Sequence, residues 1–141
     1  MAQDLTLRVI TPDRIVLDTT ASTVQLPGLD GLIGVLPRHA PMVAALSEGA
    51  LTFDEGGGKT GMFVAGGFAE VRGNTVRVVS QASEAPTEID VERASKAADR
   101  ARERLKNRRV EEGSEEFDIL RAEASLRRAM MRLYVKNSFK R

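Results

Sequence analysis

Apolar positions alternate with polar ones in the first half of the chain and recur every three or four residues in the second. Leu5, Leu7 and Val9 are separated by Thr6 and Arg8, the period-two pattern of a half-buried strand, and a proline turn at Thr11-Pro12-Asp13-Arg14 ends it. Short apolar runs follow at residues 15–19, 23–26, 32–36, 42–46, 50–53, 62–65, 68–71 and 76–79, separated by Gly, Pro, Asn or Asp. Brief strands at this spacing, with tight turns such as Arg72-Gly73-Asn74-Thr75, predict an antiparallel sandwich or barrel rather than a parallel sheet.

Beyond Asp90 the period is helical. Val91, Ala94, Ala98, Ala101 and Leu105 share one face, as do Ile119, Ala122, Leu126, Ala129 and Leu133. Gly113-Ser114 lies between the two runs, with Gly suited to a C-cap and Ser114 to the next N-cap, which predicts an antiparallel two-helix hairpin. Its alanine-rich seam allows close approach but removes little apolar area from water, at roughly 25 cal/mol per Å². Such a hairpin is expected to open or move more easily than a sandwich, which makes it the natural place for a conformational switch. The predicted organisation is two domains, a β-sandwich over residues 1–85 and a helical hairpin over 86–141, with the transition at about residues 81–89.

Charge follows the same division. The formal net charge is only +1, but residues 1–89 hold 6 Lys/Arg against 10 Asp/Glu, or −4, whereas residues 90–141 hold 15 against 10, or +5. At 141 residues the chain has material for one ordinary domain, or for a compact domain with a thin appendage. With 4% aromatic residues and no Trp, its interior must be built from Val, Leu, Ile, Ala and Met. Zero cysteines exclude a disulfide framework and thiolate metal sites. The start of the chain lacks the basic and apolar regions of a secretory signal, and no apolar run approaches the ~20 residues that cross a bilayer. A membrane is therefore expected to be reached only through partners.

The run Ile33-Gly34-Val35-Leu36-Pro37-Arg38-His39-Ala40-Pro41, the Thr11-Pro12-Asp13-Arg14 turn and Gly66-Gly67-Phe68 together resemble the epsilon subunit of the F-type ATP synthase, over essentially the whole chain. The resemblance implies a β-sandwich followed by a helical hairpin, in a non-catalytic rotor subunit that joins the gamma subunit to the membrane c-ring. It also implies that the mobile hairpin inhibits ATP hydrolysis, its basic second helix with Arg127, Arg128, Arg132 and Lys136 reaching toward acidic segments of the beta subunits in the alpha and beta catalytic hexamer. The loops around Asp30, Gly31, Leu32 and His39 would face the polar loops of the ring. Leu32 stands where some relatives carry an acid, so that contact would be apolar. The location implied is peripheral, at the cytoplasmic face of a bacterial energy-coupling membrane, or the stromal face of a thylakoid for a plastid-encoded chain.

Ile89-Asp90-Val91-Glu92-Arg93-Ala94 has a plain local reading: Asp90 is an N-cap worth about 1 kcal/mol, and Ile89 with Ala94 forms a hydrophobic staple. The same positions match the Ile/Leu-Asp-x-x-Arg-Ala motif of family members whose tail binds ATP. There the pocket is completed by residues matching Glu84, Arg128 and Arg132, which makes ATP the regulatory ligand implied for this chain. Arg128 and Arg132 are four apart on one helical face, with Lys136 a turn later. Like charges at that spacing cost a few tenths of a kcal/mol per pair unless something offsets them. A triphosphate, an acidic partner surface and solvent are all open readings of that offset.

Other motifs carry less. Gly56-Gly57-Gly58-Lys59-Thr60-Gly61 is similar to the end of a phosphate-binding loop, but Phe53 stands where the motif needs its first glycine, and Met62-Phe63-Val64 reads as a strand where the motif needs a helix. A hairpin turn is the expected structure. His39, the single histidine, sits between Pro37 and Pro41 with no Cys or carboxylate neighbours for a metal site. No nucleophile, base or metal constellation is legible, so neither catalysis nor a metal or redox cofactor is expected. Arg100, Arg102, Arg104, Lys106, Arg108 and Arg109 raise a nucleic-acid-binding alternative, but Asp99, Glu103, Glu111 and Glu112 interleave them and stacking aromatics are nearly absent, so no nucleic-acid partner is expected. A nucleotide-sensing adaptor outside the synthase, built on the same sandwich and hairpin, is the other alternative.

Overall fold

The computed structural model describes residues 4–107 and 116–139. Among these, eight strands, one 3₁₀ turn and two helices follow one another: β1 Leu5–Ile10, β2 Ile15–Ala21, β3 Thr23–Gly28, β4 Gly31–Val35, β5 Met42–Glu55, β6 Gly58–Arg72, β7 Thr75–Val79, β8 Ser83–Glu84, the turn Pro86–Glu88, α1 Val91–Asn107 and α2 Glu116–Ser138. The strands pair in the order β2-β1-β7-β6-β5-β3-β4, with β8 beside β6.

Four of the short runs join into two long strands. Residues 42–46 and 50–53 are parts of β5, and residues 62–65 and 68–71 are parts of β6. The two strands pair from Met42↔Val71 to Glu55↔Gly58 and thread both layers of the sandwich. They do so by exchanging faces midway: Leu46 and then Leu51 and Phe53 point into the core from β5, while Met62 and Val64 and then Ala69 and Val71 do so from β6. The exchange in β6 occurs at Gly66 and Gly67, with φ of +78° and +106°. A Cβ on Gly67 would run into the carbonyl oxygen of Val79, so only glycine permits both this φ and the approach of β7. The quoted Gly66-Gly67-Phe68 run thus has a mechanical role.

A second difference is that β1 pairs with β7 in parallel, Thr6↔Thr75 through Ile10↔Val79, whereas the other pairings are antiparallel. Gly56 and Gly57, both at positive φ, form the two-residue turn between Glu55 and Gly58, which makes the glycine-rich run a hairpin turn.

The core lies between the layers, where Leu5, Leu7, Leu26, Leu51, Val9, Val24, Val35, Val71, Val76 and Val78 are inaccessible or nearly so. The two outer faces differ. One carries Ala50, Phe63 and Ala65, against which pack Met131 and Val135 of α2 and Phe139 just beyond its end, with Ile89 filling the corner. The other has no such cover among the described residues: Ala45↔Phe68↔Val79↔Ile10↔Ile15 form an apolar row across five strands, with Phe68 48% and Ile15 59% exposed. Beside it, Val43↔Glu70↔Arg77↔Arg8↔Asp18 form a row that is charged beyond Val43.

In α1 the buried positions are Ala94, Ala98 and Ala101, and Ala122 and Ala129 are buried in α2. Val91, expected in that seam, is 45% exposed instead. The start of α1 and the end of α2 both meet the linker near Pro86, so the helices run antiparallel. The caps expected at Gly113 and Ser114 lie outside the described residues, as do Arg108, Arg109, Glu111 and Glu112.

Candidate functional site

The linker between sandwich and hairpin forms one wall of a cavity of about 320 Å³, lined by Glu84, Glu88, Asp90, Arg93, Ala94, Ala97, Arg100 and Arg132. Local forces set each wall. Ser83 fastens β8 to β6 by donating from its hydroxyl to the Phe63 carbonyl at 2.9 Å, which presents Glu84 at the sheet edge. Pro86 opens the 3₁₀ turn, and the Glu88 backbone N–H closes it on the Ala85 carbonyl at 2.9 Å. Asp90 Oδ1 accepts from the Arg93 backbone N–H at 3.1 Å, the N-cap expected from the sequence. Arg93, Ala97 and Arg100 then follow at helical spacing along the cavity side of α1.

Arg132 enters from α2. Its Nε donates to Glu84 Oε1 at 2.6 Å while its guanidinium lies over the Phe63 ring, 4.4 Å from the centroid. Both members of the ion pair are 27% exposed, so the contact is partly screened but braced on its apolar side. One turn later, Lys136 Nζ donates to the Pro86 carbonyl at 2.9 Å. Glu88 is tied to the sandwich: Arg14 Nη2 donates to its Oε2 at 2.6 Å, and the Ala85 N–H donates to its Oε1 at 3.2 Å. The Arg14 hydrogen bond chiefly, and then that of Ala85, hold the Glu88 carboxyl below its ordinary value against the opposing effect of burial. The cavity wall thus holds Glu84, Glu88 and Asp90 against Arg93, Arg100 and Arg132, a charge-balanced set.

Of the residues singled out in the sequence, Glu84, Asp90, Arg93, Ala94 and Arg132 meet around this cavity. Ile89 is buried behind it with Phe63 and Val135 rather than facing the cavity. Arg128 faces elsewhere: its Nη1 lies 3.9 Å from Glu48 Oε1, and Arg127 Nε lies 3.7 Å from Glu48 Oε2. The charges stacked on α2 are therefore offset by carboxylates of the sandwich, Glu48 and Glu84. Sequence reasoning did not single out Glu48, Phe63, Arg14 or Glu88, whose partners are distant in the chain. Arg100 carried a signal that was available, since it stands two helical turns beyond Arg93.

The loops near the other candidate residues are separate features. Asp30, Gly31 and Leu32 form the exposed tip of the β3–β4 hairpin, Leu32 being 67% exposed, and the tip is held by Leu29 N–H on the Ala45 carbonyl at 3.1 Å. His39 lies on a turn in which its N–H bonds the Leu36 carbonyl at 3.1 Å and the Arg38 N–H bonds Asn74 Oδ1 at 2.7 Å. Arg38 adopts φ +69° there. Among the described residues no group of acids, histidine or cysteine has the arrangement of a metal site, and no helix is long and apolar enough to cross a membrane.

The chain matches two family models in tandem: residues 4–86 the β-sandwich domain, and residues 87–137 the long α-helix domain, of the ATP synthase delta/epsilon chain. It is 41% identical over 138 residues to an ATP synthase epsilon chain of Nitratidesulfovibrio vulgaris, covering 98% of this chain and 99% of that one. It is 45% identical over 131 residues to one of Symbiobacterium thermophilum, covering 92% and 91%. Among solved structures it is similar to a chain in the Euglena gracilis mitochondrial ATP synthase assembly of OSCP, F1 and c-ring, with TM-score 0.75, 25% identity, and 90% of this chain and 78% of that chain covered. A chain of the Tetrahymena thermophila central stalk and c-ring shares the fold at TM-score 0.61 and 12% identity, with 96% and 98% covered. The chain belongs to the ATP synthase delta/epsilon family, as an epsilon subunit of the central stalk of the F-type enzyme.

Proposed function

We propose that this central-stalk subunit couples the gamma subunit to the c-ring through its sandwich and restrains ATP hydrolysis through its hairpin, with ATP in the linker cavity as the ligand that favours the folded hairpin. The observation that carries the regulatory part is the cavity itself, whose walls come from β8, the linker, α1 and α2. It exists only while α2 lies on the sandwich. A ligand held there would favour the folded state by its differential affinity for that state. Arg93, Arg100 and Arg132 supply guanidinium forks suited to phosphate oxygens. At about 320 Å³ the cavity is at the small end of ligand sites, so part of the nucleotide would lie over its rim. Glu84 already occupies Arg132, and a triphosphate would compete with it for the guanidinium.

With α2 released, Arg127, Arg128, Arg132 and Lys136 would lose Glu48, Glu84 and the Pro86 carbonyl together. A basic helix in that condition is drawn to acidic surface, such as that of the catalytic beta subunits, where it would block rotation in the hydrolysis direction. The uncovered row of Ala45, Phe68, Val79, Ile10 and Ile15, flanked by a largely charged row, has the composition of a docking face and is assigned to gamma. The exposed Leu32 tip and the His39 turn are assigned to the ring.

Calorimetric titration of ATP, ADP and GTP into the chain and into Arg93→Ala and Arg132→Ala variants tests the ligand. Binding selective for ATP, weakened at least tenfold in each variant, is expected; equal heats in wild type and variants would remove the nucleotide from this cavity. Arg128→Ala serves as the contrast, because in the folded state it faces Glu48 and is expected to change binding less.

A further inference from the structure

The Thr11-Pro12-Asp13-Arg14 turn lies at the far end of the chain from the hairpin, yet it reaches the linker cavity. Thr11 Oγ1 and the Thr11 backbone N–H both donate to the Arg14 carbonyl, at 3.2 and 2.9 Å, which closes the turn and holds the Arg14 backbone at the start of β2. From there the guanidinium extends to Glu88, a cavity wall residue, at 2.6 Å. Glu88 uses its second oxygen on the Ala85 N–H, so one carboxylate joins the sandwich rim, the 3₁₀ turn and the cavity.

Electrostatics gives this tie a consequence. Arg14 donates to the Glu88 carboxylate at 2.6 Å and is the chief cause of its lowered pKa, so the charge that Glu88 brings to the cavity wall is offset by a cation that is not itself a wall residue. With Arg14 counted, three acids face four arginines, an excess of one positive charge toward an anionic ligand; without Arg14 the three acids and three arginines of the wall only balance. We propose that Arg14 is a positioning residue of the linker cavity: it pins Glu88 against the linker backbone and neutralises it, so that the cavity accepts a ligand bearing phosphate. This rests on the nucleotide reading of the cavity and adds a residue from the sandwich to it.

The test uses the full chain and its Arg14→Ala, Glu88→Gln and Arg14→Ala/Glu88→Gln variants, with ATP as the probe and amide hydrogen exchange of residues 84–94 measured without nucleotide. Arg14→Ala is expected to weaken ATP binding about two- to fivefold, the size of one partly screened charge, and to speed exchange in the linker. Glu88→Gln in the Arg14→Ala background is expected to restore the affinity, because it removes the charge without restoring the tie. Unchanged affinity in Arg14→Ala, or a loss that Glu88→Gln does not restore, overturns the electrostatic role. A wild-type chain that does not bind ATP overturns the nucleotide reading instead. In that case faster linker exchange in Arg14→Ala keeps the pinning role of Arg14, and unchanged exchange removes it.

Discussion

The sandwich and the hairpin are both held by apolar contact, but they spend different residues on it. Between the sandwich layers, Leu5, Leu7, Leu26 and Leu51 and seven valines are sealed from water, each fully buried aliphatic side chain contributing about 1.5–3 kcal/mol. The seam of the hairpin is sealed by Ala94, Ala98, Ala101, Ala122 and Ala129, each with a single methyl to bury. Its fastening to the sandwich rests on Phe63, Ile89 and Val135 with a few half-buried neighbours, plus the Glu84–Arg132 and Glu48 ion pairs. Local opening is governed by that density of contacts, so the two regions are expected to open at very different free energies. The function proposed above would use this inequality: a rigid body to carry torque, and an arm that changes position without unfolding the body.

The largest expected effect comes from the point where β6 exchanges faces. Gly67→Ala places a Cβ at φ +106° against the Val79 carbonyl, combining left-handed strain of about 1–2 kcal/mol with a backbone collision, and should cost about 3 kcal/mol or more in total. Thermal unfolding of the sandwich should fall by roughly 12–24 °C, with α2 lost alongside because its platform is lost. A variant that melts like wild type would mean that β6 can bend without this glycine. At the arm, Val135→Ala removes apolar bulk from the fully buried contact with Phe63 and Ile89 and should cost about 1.5–2 kcal/mol. Exchange protection should disappear from α2 while the sandwich transition stays in place. A fall in both together would show one cooperative unit and abolish the contrast.

Local rules made one part of this legible in the sequence. Alternation in Leu5-Thr6-Leu7-Arg8-Val9, helical recurrence from Ala94 onward and the Asp90 cap all depend on neighbours within a few residues, and they appear as read. The continuity of β5 and β6 was hidden because Ser47-Glu48-Gly49 and Gly66-Gly67 look like turns, whereas they are the places where long strands exchange faces. The parallel pairing of β1 with β7 joins residues about seventy positions apart, and no periodicity carries that information. The site divides in the same way. Asp90 and Arg93 are placed by the start of their own helix, while Arg128 and Arg132, equivalent in sequence, are separated by which sandwich carboxylate lies beneath each.

The smallest expected effect tests the tie that crosses from body to arm. The folded Glu88 carboxyl titrates below its ordinary value of 4.5, so the Arg14–Glu88 pair adds stability that is fully present above about that value and is lost as pH falls through the lower, folded one. Both side chains are more than one-third exposed, and solvent screening limits the contribution to less than about 1 kcal/mol. Wild type and Arg14→Ala should therefore differ by a small, constant amount from neutral pH down to about 5 and converge at more acid pH. NMR titration of the Glu88 side-chain carboxyl reports the cause directly, with its midpoint moving up in Arg14→Ala. A midpoint that stays in place would mean that the backbone N–H of Ala85 alone holds the charged form, leaving the arm joined to this edge of the sandwich by the linker and not by charge.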